Sequence, residues 1–132
     1  MGKNNIEAIY LLSPAQQGML FHNLASAHSG VDLEQMLFEI DCVIDPLAFR
    51  RAWEKVIERH AVLRTSFRWE GLDEPAQLVH RNGCLQLCEE DWSSLSTVEW
   101  RLRLNQYLQE DRERGFDLTR SPLMRVSLFS IS

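Results

Sequence analysis

Side chains able to move protons, attack carbonyl groups or hold metals are sparse in this sequence. Histidines stand at His22, His28, His60 and His80, and cysteines at Cys42, Cys84 and Cys88. A nucleophile needs a base within reach and a third group to orient that base. None of the four histidines has such a partner at a spacing that identifies it. No glycine-rich phosphate loop, His-Glu-x-x-His helix or aspartate-rich calcium loop occurs, so no metal site is expected. The odd cysteine count gives neither a disulfide framework nor a zinc site. If extended, Cys84 to Cys88 spans about 13 Å, too far for a local bond. Small buried or half-buried thiols are the expectation, with His22 a satisfied structural residue and His60 placed to suit a helix carboxyl end.

The elements that must position these groups follow from capping and periodicity. Ser13 can accept a hydrogen bond from the backbone of Gln16 while the Gln16 side chain reaches back, and Pro14 fits the first helical position. A helix is predicted from Ser13 to Ala25 with Ala15, Met19 and Leu24 inward. Gln35 to Val43 alternates with the period of a strand. Asp45-Pro46 caps a second helix, in which Phe49, Ala52, Trp53, Val56, Ile57 and His60 share a face. Val62 to Trp69 returns to period two, with Leu63, Thr65, Phe67 and Trp69 on one side and Arg64, Ser66 and Arg68 on the other.

Downstream, Ala76 to His80 and Cys84 to Cys88 read as short strands joined through Asn82-Gly83, a hairpin signal. They lie in a solvated edge region, Glu70 to Asp91, whose acidic excess matches that of the whole chain. Ser96 and Glu99 cap a third helix that runs to Gly115, and its mixed-sign segment Glu110 to Arg114 reads as an outer face. Leu123 to Ile131 carries apolar residues on both faces and is predicted to be a central strand.

At 132 residues and 45% hydrophobic composition, the chain is the size of one domain. Its net charge of −5 lacks the positive field that draws proteins to phosphate backbones, so nucleic acid is not an expected partner. No run reaches the roughly 18 to 20 apolar residues of a membrane span, and Met1 to Ile6 resembles no signal peptide. The expectation is a cytoplasmic protein with no membrane partner.

Two stretches are more specific than composition. Ser13-Pro14-Ala15-Gln16-Gln17-Gly18-Met19-Leu20-Phe21-His22 resembles the first core motif of the condensation domains of nonribosomal peptide synthetases. Arg59-His60-Ala61-Val62-Leu63-Arg64-Thr65-Ser66-Phe67 is similar to their second motif. Asp45 to Glu58 matches the helix between them, and Gly115-Phe116-Asp117-Leu118 with Ser121-Pro122-Leu123 resembles the approach to the third.

The resemblance implies an α+β fold similar to chloramphenicol acetyltransferase: a half-domain, 1–132, with a mixed sheet packed by about three helices and truncated before its other half. It implies amide-bond formation between a donor thioester and an acceptor amine, both carried on phosphopantetheine arms of carrier proteins. No cofactor is expected on this chain itself. The family's His-His-x-x-x-Asp-Gly motif has no counterpart here, since no two histidines are adjacent. The chain alone is therefore expected to be inactive and to associate through its exposed edge. Arg64, Arg59 and His60 are the implied site-organising candidates, Arg64 through pairing with the aspartate of that third motif. Ser13, Gln16, Gln17 and His22 are implied to be architectural, and the first-motif variant resembles the subgroup joining an L-configured donor to an L-amino acid. A non-catalytic module that binds carrier proteins, and an acyltransferase of the same fold acting on another thioester, are the alternatives.

Overall fold

A computed structural model describes residues 5–26 and 32–132. His28 lies outside the described residues. The chain runs β1 (Ile6–Leu11), α1 (Pro14–Ala25), α2 (Pro46–Arg59), β2 (Thr65–Arg68), β3 (Ala76–His80), β4 (Leu87–Asp91), α3 (Thr97–Arg114) and β5 (Val126–Ser130). Three helices and an α+β order are thus as the sequence implies. Antiparallel and parallel pairing both occur, in separate sheets: β1-β3-β2 is antiparallel, and β4 pairs with β5 in parallel.

All three helices start where their caps demand. Ser13 Oγ accepts from Gln16 N at 3.2 Å while Gln16 Oε1 accepts from Ser13 N at 2.9 Å. Ser96 and Glu99 repeat this box on α3, and Asp45 Oδ1 accepts from Leu47 N at 3.0 Å on α2. These reciprocal bonds satisfy amides that a helix start otherwise leaves open. Gly115 closes α3 with a φ of +57° and a ψ of −152°, a positive-φ conformation open essentially to glycine alone.

Several sequence expectations give way to tertiary structure. Gln35 to Val43 has no regular secondary structure, with a bend at Cys42, and Val43 is fully exposed. Alternation marks what a strand could bury, and among the described residues no strand pairs with it. In α1 it is Leu20 that is buried, whereas Ala15, Met19 and Leu24 are exposed, because the helix packs along one narrow line. On α2, Ile57 is buried and Phe49 and Trp53 half-buried, while Ala52, Val56 and His60 remain exposed.

The Asn82-Gly83 hairpin does not form. Strand β3 pairs on both edges with β1 and β2, and β4 begins only at Leu87 and joins β5. Ala76 to His80 is accordingly a central strand rather than part of a solvated edge, with Val79 and His80 buried. Ala61–Arg64 forms a turn of 3₁₀ helix, so the strand expected from Val62 begins at Thr65. Among the described residues β5 has β4 as its one neighbour, not the two of a central strand. Cys42, Cys84 and Cys88 are all exposed thiols rather than buried ones.

Packing on the β4–β5 side is carried by α3. Trp100, Leu104, Tyr107, Leu108 and Asp111 form its half-buried stripe. Tyr107 meets Phe129 edge-on at 5.0 Å and hydrogen-bonds Ser127, and Trp92 stacks on Phe129 at 3.9 Å. Arg125 fastens β5 to the end of α3: its Nε donates to Asp111 Oδ1 at 2.8 Å, its Nη1 to Gly115 O at 2.5 Å, and it lies 4.0 Å from the Phe116 ring.

Candidate functional site

The two motif stretches meet at the three-stranded sheet. At the first, the Gln16 side chain does two jobs. It closes the α1 cap, and it pairs with Gln77 of β3 through reciprocal amide contacts of 3.1 and 3.0 Å. Gln77 also donates to Leu11 O at 3.1 Å, and Gln17 reaches Leu12 O at 3.5 Å. The polar residues of this motif thus fix the β1–α1 corner onto β3. His22 departs from the expectation of a satisfied structural residue: its side chain is exposed, with Nδ1 3.8 Å from Asp32 Oδ2.

At the second motif the sequence candidates separate. Arg59 ends α2 and His60 caps it, and both are exposed. Arg64 instead turns inward and is buried. Its Nε donates to Ile57 O at 3.0 Å, and its Nη1 donates to the carbonyl of His80 and approaches Glu7 Oε2 at 3.5 Å. Two backbone acceptors and one carboxylate replace much of the water that a buried guanidinium gives up.

Beside it lies a contact that sequence spacing does not reveal. Ser66 and His80 are buried at 0% and 3% exposure, with Ser66 Oγ 2.7 Å from His80 Nε2. Burial, and after it the charge of Arg68, holds His80 below its ordinary pKa, so the ring is neutral near pH 7. The signal that could have found this pair is the alternation within Thr65–Arg68, which sends Ser66 to one face; its partner, fourteen positions on, depends on the β2–β3 register.

Gly83 explains how the cluster closes. A Cβ at this position would stand 2.7 Å from Ile57 Cγ2 and 3.2 Å from Arg64 Cγ. The glycine is needed for close approach, not for a hairpin. Away from this cluster, an open groove of 1580 Å³ runs between residues 33–44, α3 and β5, with Leu37, Phe38, Trp53, Tyr107 and Phe129 in its walls.

Capped corner, buried arginine and split sheets define an α+β scaffold with its polar contacts gathered at one sheet. The family model for the condensation domain matches residues 6–132, and the chain belongs to that family. One of the linear gramicidin synthase proteins of Brevibacillus parabrevis is 45% identical over 126 residues, which is 96% of this chain and 2% of that protein. The starter condensation domain of rhizomide synthetase superposes with a TM-score of 0.75 at 20% identity, over 95% of this chain and 28% of that one. A four-domain nonribosomal peptide synthetase, holo-AB3403, gives 0.72 at 18% identity over 96% of this chain and 9% of that one. The shared fold is the chloramphenicol acetyltransferase-like fold of condensation domains, and the chain spans a small part of each relative's length.

Proposed function

We propose that the 132 residues are the amino-terminal part of a condensation domain, acting within a cytoplasmic nonribosomal peptide synthetase. Their work is to hold one side of the site at which a carrier-bound acyl or peptidyl thioester meets a carrier-bound aminoacyl group. Phosphopantetheine belongs to those carrier partners. Arg64 organises the site, and the capped Ser13–Gln16 corner with Gln17 keeps α1 and β1 in register with β3. His22, Arg59 and His60 are exposed and serve the scaffold's surface rather than its site.

The observation that carries this reading is the burial of Arg64 between the Ile57 and His80 carbonyls, with Glu7 as its one carboxylate neighbour at 3.5 Å among the described residues. A cation held so firmly, against a carboxylate that is itself 47% exposed, keeps capacity for a further acidic partner. The sequence contains no adjacent histidines to handle the amine's proton. The chain alone therefore condenses nothing. Incubation with loaded donor and acceptor carrier proteins, followed by mass spectrometry, tests this: no amide product is expected, and a product formed by the chain unaided would overturn the reading.

A further inference from the structure

The Ser66–His80 contact joins the second motif stretch to β3, and it sits where Arg64 is held. His80 Nδ1 is buried without a hydrogen-bond partner among the described residues. A buried N–H without an acceptor is rarer and costlier than an unused lone pair, so the ring proton belongs on Nε2. Nε2–H then donates to Ser66 Oγ across 2.7 Å. That bond fixes the last residue of β3, and the same residue's carbonyl receives Arg64 Nη1. Ile57 O takes Nε from the α2 side, and Gly83 leaves the room in which the arginine stem lies.

We propose that His80 and Ser66 are positioning residues for Arg64: a neutral, Nε2-protonated His80, anchored by the Ser66 hydroxyl, sets the carbonyl that holds the guanidinium. The inference rests on the reading of Arg64 as the residue that organises the site. Neither side chain touches a reacting group; both act through the arginine.

The test is nuclear magnetic resonance on the isotope-labelled 132-residue chain. The His80 ring is expected to show the Nε2–H tautomer, and the Nδ1–H tautomer would overturn the proposal whatever any variant does. In Ser66→Ala, solvent exchange of the Arg64 Nη1–H, which the His80 carbonyl accepts, is expected to speed up about tenfold, the loss of roughly 1.4 kcal/mol of protection. Arg125 Nε–H, held by Asp111, should be unchanged. Ser66→Thr, which restores the hydroxyl, should return Arg64 to slow exchange. Equal acceleration at Arg64 and Arg125 would mean a merely structural role and defeat the proposal, as would unchanged exchange at Arg64. Because exchange reports the clamp and amide formation by a complete domain reports Arg64's role, either can fail without the other.

Discussion

Gly83 has no side chain, and the space a Cβ would need is already filled by Ile57 Cγ2 at 2.7 Å. Since Ile57 is 2% exposed and packed in the core, it has little room to give. Gly83→Ala should cost about 1–3 kcal/mol, read as a lower urea midpoint; an unchanged midpoint would mean that the α2 contact is looser than described. His80 supplies a pH dependence. Its folded pKa lies below the ordinary 6.5, so the unfolded chain binds this proton more readily than the folded one. The contribution is fully present above pH 6.5 and is lost as pH falls toward the lowered folded value. Melting temperature should decline over that window, and His80→Gln should remove His80's share of the decline; an identical decline in the variant would contradict the assignment. Arg64 was legible from its motif, but the direction of its side chain was not, because the strand expected at Val62 starts three residues later and a 3₁₀ turn intervenes. Of the Ser66–His80 pair only the face of Ser66 was legible, from alternation; its partner was not, since the two residues meet through strand register.

Helices were legible because their starts are local chemistry. Ser13, Asp45 and Ser96 each lie within three residues of the amide they satisfy. Replacing Ser96 by Ala should lower stability by about 1 kcal/mol, measured by chemical denaturation, with helix content at the start of α3 falling in parallel. Strand pairing is not local. The Asn82-Gly83 signal and the alternation of Gln35–Val43 were both present, but neither states which backbone will lie alongside. The joint between α3 and β5 rests on Arg125, whose side chain is 10% exposed against 18% for Asp111. Removing one member of so enclosed a pair strands the other's charge. Arg125→Met should therefore destabilise by about 3 kcal/mol. A midpoint within error of the parent would show that the Tyr107–Phe129–Trp92 stack alone holds the two elements together.

For the molecule as a whole, the accessible surface is 9745 Å². A compact monomer of this mass exposes roughly 7,200 Å². Large apolar side chains contribute to it: Met36 is 77% exposed, Phe38 71% and Phe21 69%. Apolar side chains so exposed, beside the edge of β5 that is unpaired among the described residues, favour self-association of the isolated chain. Light scattering should find oligomers, and Phe38→Asp should shift them toward monomer; a monodisperse parent monomer with a sharp unfolding transition would count against this. The family was legible because the two motif stretches carry it. The separation into two sheets was not, since β4 and β5 are joined in parallel across the whole length of α3.

The central proposal is that these residues are a scaffold on which a complete condensation domain does its work, with Arg64 organising the site. The test is a chimera in which they replace the matching region, 45% identical over 126 residues, of the Brevibacillus parabrevis linear gramicidin synthase. With loaded carrier proteins, the chimera should form the amide product, and its Arg64→Ala variant should fold but lose most of that activity. A folded chimera that makes no product, or one in which Arg64→Ala is without effect, would contradict the account.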